Sequence, residues 1–170
     1  MLTINFLRRR IPLTQGKVAL VDAADYDSVS RFKWHAHKDN STFYASRAGK
    51  RKEGKCGKTI SMHRFLTNWA MTDHIDGNGL NNQRRNLRPC TSRQNSANYR
   101  KPAGGTSKYK GVSWSKIGKR WQVFVRKNGK PTYLGLFESE IEAAKVYNGA
   151  AIREFGEFAR LNEIPSEANL

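Results

Sequence analysis

Between Arg120 and Lys127 polar and apolar residues alternate. Arg120, Gln122, Phe124 and Arg126 fall on one side of an extended chain, and Trp121, Val123 and Val125 fall on the other. This period of two predicts a strand with one face turned to a core. Tyr109 to Trp114 predicts a strand before it and Thr132 to Phe137 a strand after it, with Asn128-Gly129 as a tight hairpin turn. The period then lengthens. Ala143, Ala144, Tyr147, Ala151 and Phe155 recur at helical spacing, Ser139 and Glu142 fit a capping box at the start, and Gly156 closes the helix. The prediction is a three-stranded antiparallel sheet with one helix on its apolar face, leaving the other face free for a ligand.

The first hundred residues follow a different pattern. Lys17 to Asp22 reads as a strand, Asp25 to Phe32 as a short helical or turn segment, and Trp34 to His37 with Thr42 to Arg47 as a hairpin around Asp39-Asn40-Ser41. From Thr59 to Trp69 a short strand leads into an apolar helix, with Ile60, Met62, Phe65, Leu66 and Trp69 available for packing. Thr72 to Ile75 predicts a strand and Asn86 to Arg88 its return, separated by the turn dipeptides Asp76-Gly77 and Asn78-Gly79. A helix starting near Thr91 or Ser92 carries Asn95 inward. Residues 101–107, Lys-Pro-Ala-Gly-Gly-Thr-Ser, read as a linker, because proline blocks the preceding helix and Gly-Gly adds freedom. The expected organisation is therefore α+β: residues 1–100, a linker at 101–107, a second module at 108–163 and a tail at 164–170.

Charge narrows the partners. Lys and Arg number 31 against 14 Asp and Glu, for a formal charge of +17 and a pI near 10.3. Such an excess attracts a polyanion, and aromatic residues interleave with the basic ones, so nucleic acid is the expected partner. No obligate protein partner is indicated. Cys56 and Cys90 lack C-x-x-C spacing, which argues against a zinc knuckle or a disulfide framework. No apolar run reaches the length of a membrane span and the start lacks the layout of a secretory signal, so a reducing, DNA-containing compartment is expected. Lys50 to Lys55 predicts a solvated basic loop. His35 and His37 share a strand face but lack a third metal ligand.

Carboxylates are scarce, yet Asp73-His74-Ile75-Asp76-Gly77-Asn78-Gly79-Leu80-Asn81-Asn82 gathers acidic, imidazole and amide groups around turn-forming glycines. Strand, loop, strand and helix bring Asp73, His74 and Asn95 together. Asp73 and Asn95 offer oxygens to a hard divalent cation, and an adjacent histidine can take a proton from water at neutral pH.

This stretch, continuing through Arg84-Arg85-Asn86-Leu87-Arg88 and Arg93-Gln94-Asn95-Ser96-Ala97-Asn98, resembles the HNH nuclease motif of the ββα-metal fold, in the His-Asn-Asn form of phage and intron-borne homing endonucleases. The resemblance implies that His74 is the general base, that Asp73 and Asn95 bind metal, and that Asn86 is the central asparagine bracing the loop. With Asn95 at the third position, Mg²⁺ or Mn²⁺ fits better than zinc. His63-Arg64 recurs in similar nucleases, and a packed or structural role is expected of it.

The second module resembles the Apetala/ethylene-response-factor type DNA-binding domain. The resemblance rests on Tyr109-Lys110-Gly111-Val112, Arg120-Trp121, Tyr133-Leu134-Gly135-Leu136-Phe137, Glu142-Ala143-Ala144 with Tyr147, and Phe158-Ala159-Arg160-Leu161-Asn162. It implies that the sheet enters the major groove of duplex DNA. Combined with alternation, that puts Lys110, Ser113, Arg120, Gln122, Arg126 and Tyr133 on the reading face. Ser113 and Pro131 replace expected arginines and Phe124 replaces a polar residue, so the plant target does not transfer.

Together these readings predict a site-specific, metal-dependent DNA endonuclease of the homing type. It would leave 5′-phosphate and 3′-hydroxyl ends and act on DNA in the cytoplasm of a bacterial or phage-infected cell. The rival expectation is a DNA-binding regulator with an inactive nuclease motif.

Overall fold

The computed structural model describes residues 7–39, 42–49, 57–101 and 104–165. The expected loop at Lys50 to Lys55, the tip of the Asp39-Asn40-Ser41 turn, Cys56 and most of the expected tail lie outside them. The architecture mixes α and β, with small antiparallel sheets and four α-helices among the described residues. Contacts divide it into two units, residues 1–91 and 92–170.

In the first unit β1 (Arg8–Pro12) pairs antiparallel with β2 (Val18–Asp22), and α1 (Ala23–Ser30) follows at once. A second sheet orders β3 (His35–Asp39), β4 (Thr42–Ala48) and β5 (Thr59–Ser61) side by side, and β5 runs directly into α2 (Met62–Thr67). Asn68 adopts a left-handed φ of 55° and ends α2 there. This leaves Trp69 beyond the helix and exposed, where the sequence pattern assigns it to packing. Ile11, Ala19, Val21, Val29, Trp34, Ala45 and Met62 form the core. The Trp34 indole inside it donates to Val29 O at 2.8 Å, which removes the cost of burying a lone N–H.

The last pieces of this unit are β6 (Thr72–His74), a 3₁₀ turn at Arg84–Asn86 and β7 (Leu87–Pro89), with Asp73 opposite Arg88 and His74 opposite Leu87. The connection between β6 and β7 is laced to the rest of the unit. Leu20 N donates to Leu80 O at 2.8 Å and Asn82 N donates to Leu20 O at 2.7 Å, so the loop adds a short rung to β2. Gly79 N donates to Thr42 Oγ1, and a Cβ at Gly79 would meet Phe43 O and the Tyr44 ring at 2.5 Å. Only a glycine permits that approach to β4. At the far end Asp22 accepts from Gln83 Nε2 and Arg84 N, and the Arg84 guanidinium forks onto the buried Asp25 carboxylate at 2.8 and 2.9 Å. The loop is thus fixed at three places before any site chemistry is considered.

The second unit opens with α3 (Ser92–Asn98) and continues with β8 (Val112–Ser115), β9 (Arg120–Lys127), β10 (Lys130–Phe137) and α4 (Glu140–Phe155). The three strands form one antiparallel sheet in the order β10, β9, β8. The expected first strand begins three residues late, because Tyr109 to Gly111 is a turn in which Tyr109 is buried. At the β9 to β10 turn Asn128 and Gly129 both have positive φ, 50° and 79°, as a type I′ hairpin requires. Ser139 Oγ accepts from Glu142 N at the start of α4, and Gly156 caps its end. Val112, Val123 and Val125 on the sheet meet Ala143, Ala144, Tyr147, Ala150 and Ala151 on the helix, where the small alanines allow close approach. Asn162 extends β8 backward by accepting from Lys110 N and donating to Lys110 O, and Asn148 holds it there.

Within the residues read as a linker, the Lys101 ammonium donates to the carbonyls of Ser107, Tyr109 and Val112, so the described part of that stretch is tied down.

Gly111 shows how little room this unit leaves. Its φ is +76°, and a Cβ would lie 2.0 Å from Tyr147 Cδ2 and 2.7 Å from Phe124 O. Gly111→Ala is expected to destabilise the unit by roughly 2–5 kcal/mol, combining the cost of a left-handed residue with that of overpacking. Amide exchange in β9 and β10 measures it, and unchanged protection factors would contradict the packing described.

Candidate active site

Asp73, His74 and Asn86 lie in the β6 to β7 hairpin of the first unit, and all three are buried. His74 is 5% exposed. Its Nε2 faces Asn82 Oδ1 at 3.4 Å, and the Asn82 amide is turned that way because its Nδ2 reaches Gly79 O at 3.5 Å. An amide oxygen only accepts, so Nε2 carries the proton and Nδ1 is the basic atom. Burial lowers the pKa of His74, opposed by the hydrogen bond to Asn82 and by the charges of Asp76 and Asp73. Burial thus favours the neutral ring over imidazolium.

Two more rings surround it. His63, at the start of α2, sits edge-on at 5.1 Å between centroids, and Tyr44, from β4, lies 5.7 Å away. Burial, then the charge that His74 carries once protonated and that of Arg64, push His63 down to about 3, and its buried Nδ1 has no hydrogen-bond partner. His63 is therefore an uncharged wall beside His74.

Asn86 spans the loop. Its Nδ2 donates to Asp76 Oδ1 at 2.9 Å and Asn81 O at 2.8 Å, and its Oδ1 accepts from Asp76 N at 3.0 Å. Asp76 in turn accepts from Asn78 N and Asn81 Nδ2. These bonds fix the turn after His74 independently of any ligand.

Asp73 pairs across the hairpin with Arg88, whose Nε and guanidinium NH2 lie 2.8 and 2.7 Å from Asp73 Oδ2. Asn95 sits on α3 of the second unit and is exposed. Among the described residues no three His, Cys, Asp or Glu side chains gather as a metal-holding group. The Asp73 carboxylate offers oxygen, the donor that a hard cation prefers, and not the nitrogen or sulfur that suits zinc.

On the second unit, Ser113, Arg120, Gln122, Arg126 and Tyr133 share the sheet face opposite α4, with Ser113 opposite Gln122 and joined to it at 3.1 Å. Lys110 lies in the turn before β8 with its ammonium on the carbonyls of Ala97 and Tyr99; burial, then Arg160, lowers its pKa to about 8. Trp114 joins Trp121 on the helix side, edge to face at 5.1 Å. His35 bonds to Ser46 Oγ, and both His35 and His37 are exposed.

Asn82 escaped the sequence reading although it lies in the motif stretch. Its only signal was position, next to a second asparagine in a loop whose path could not be drawn beforehand.

No family model and no solved structure matches the chain. It is 43% identical over 70 residues to APETALA2-like protein 2 of rice (Oryza sativa), covering 40% of this chain and 16% of that protein. It is 47% identical over 58 residues to Protein 3.8 of Escherichia phage T7, covering 34% of this chain and 48% of that one. An uncharacterized HNH endonuclease of Acanthamoeba polyphaga mimivirus is 33% identical over 160 residues, covering 88% of this chain and 77% of the relative. A match of that extent runs through both units, and with it the chain belongs to the HNH endonuclease family.

Proposed function

We propose that the chain is a site-specific DNA endonuclease, of the homing type, that hydrolyses phosphodiester bonds with one divalent metal ion. The observation that carries this reading is His74, buried, with its pKa lowered and Nε2 facing Asn82 Oδ1, which makes Nδ1 the basic atom of the ring. His74 takes a proton from the attacking water through Nδ1, and Asn82 stabilises the imidazolium that results. Asn86 keeps the turn closed so that the ring does not swing away from the phosphate. Asp73 and Asn95 are the residues that would hold Mg²⁺ or Mn²⁺, as the family resemblance implies. When bound, the cation would stabilise charge on the phosphate and the departing 3′-oxygen. Products would be 5′-phosphate and 3′-hydroxyl ends.

We assign the second unit as an Apetala/ethylene-response-factor type module that lays its sheet in the major groove. Residues 108–163 would constitute it, with 101–107 joining it to a nuclease region at 1–100. Lys110, Ser113, Arg120, Gln122, Arg126 and Tyr133 remain the proposed contacts. The positive charge of the chain supplies affinity, and DNA binding weakens steeply with salt. Duplex DNA in the cytoplasm of a bacterial or phage-infected cell is the proposed setting.

One observation favours the rival regulator. The Arg88 guanidinium occupies Asp73 Oδ2 and competes with a cation for that oxygen. Supercoiled plasmids carrying genomic fragments, incubated with Mg²⁺, Mn²⁺ or EDTA, decide between the two readings. Nicking that stops in EDTA, with 5′-phosphate ends on sequencing, supports the endonuclease. Binding without cutting in either metal supports the regulator.

A further inference from the structure

The outer face of the β8 to β10 sheet holds an apolar patch that alternation alone does not predict. Phe124 lies opposite Tyr133, with ring centroids 5.4 Å apart. After Tyr133 the register slips by one residue, so that Gly135 faces Val123 and Leu136 faces Gln122. Gln122 and Phe124 are two apart on β9 and share a face, so the bulge puts Leu136 on the same side as Tyr133. Without it, Leu136 would turn toward α4. Phe124, Tyr133 and Leu136 are 36%, 53% and 39% exposed. Among the described residues of the unit no helix covers this face, and leaving three large apolar side chains in water loses stability that burial would give.

The patch sits among charged groups. Arg120 and Arg126 lie on the same face of β9 at either end of it, and the hydrogen-bonded Ser113 and Gln122 run alongside. Such a surface matches a polyanion that also presents apolar groups. In the major groove of duplex DNA the apolar group on offer is the C5 methyl of thymine. Arginines then hold phosphates or purine edges while the patch covers methyls.

We infer that Phe124, Tyr133 and Leu136 form a thymine-methyl reading patch, which makes the preferred site of this module thymine-containing. The inference rests on the proposal that this sheet face meets duplex DNA. It accounts for an apolar residue at position 124, where the resemblance leads one to expect a polar one. Each methyl covered is expected to be worth about fourfold in affinity, the equivalent of one buried carbon.

The test uses the full chain in EDTA, so that binding is read without cutting. A randomised duplex library is selected for binding, and the selected pool is remade with dUTP in place of dTTP. Uracil keeps every hydrogen-bonding edge and loses only the methyl. The uracil pool is expected to bind about fourfold more weakly for each methyl contacted. Phe124→Ser and Leu136→Ser, both at exposed positions, are expected to narrow that difference. Two variants are used so that misfolding of one does not decide the matter. Equal binding of the selected thymine and uracil pools by the unmodified chain overturns the inference, as it would if the rings merely stack on unpaired bases. If no duplex pool is enriched even at low salt, the DNA-facing assignment of the sheet fails and the inference falls with it.

Discussion

His74→Ala is expected to lower the single-turnover rate of metal-dependent plasmid cleavage by about 10²–10⁴-fold, the range for loss of a positioned general base. DNA affinity should hardly change, because the ring is buried and most of the binding charge lies elsewhere. The size of the loss depends on which nitrogen carries the proton. Asn82 Oδ1 engages Nε2, so Nε2 carries the proton and Nδ1 carries the basic lone pair. Asn82→Leu removes that acceptor while keeping the volume, and is expected to cause a smaller loss than His74→Ala. The pH profile adds a check. Burial lowers the His74 pKa, so the base stays unprotonated below the ordinary imidazole range and activity falls only as pH drops through that lowered value. An acid limb above pH 6.5 would contradict this environment, and a fully active alanine variant would remove His74 from the mechanism.

The contrast between Asn86 and Asn82 shows what was legible in the sequence. Asn86 could be singled out because the family resemblance makes it the central asparagine, and the structure gives it three hydrogen bonds across the loop. Asn82 contributes as much geometrically, but its bond to His74 depends on how the loop folds back onto β2 and β4, and pattern carries no such information. The second unit follows the same division. Strand β9, the Asn128-Gly129 turn and the capped helix follow local rules and match the reading closely. The β10 bulge depends on pairing across strands, so the outward turn of Leu136 was hidden. Lys101, read as part of the linker, and Lys110, placed by sequence on the reading face, both have structural partners. Lys101 and Lys110 spend their ammonium groups on backbone carbonyls, which a charge count does not distinguish from solvated ones.

A second large effect is expected in acid. Burial first, then the charge that His74 carries once protonated and that of Arg64, lower the His63 pKa to about 3, against an ordinary value of 6.5. The unfolded chain therefore binds a proton here that the folded chain refuses. The contribution to stability is fully present above pH 6.5 and is lost progressively as pH falls toward about 3. Between pH 6.5 and 5 the loss is at most about 2 kcal/mol, since one proton changes stability by about 1.4 kcal/mol per pH unit and part of the ring remains solvated. His63→Phe keeps a ring against Tyr44 and His74 but cannot titrate, and its Nδ1 has no hydrogen bond to lose. Urea midpoints read by amide exchange in β4 are expected to fall with acid more steeply in the unmodified chain than in His63→Phe. Equal pH dependence in the two would mean that His63 accepts its proton in the folded state. The wall beside His74 would then be charged, and the base would face a repelling neighbour at the pH where it must take a proton of its own.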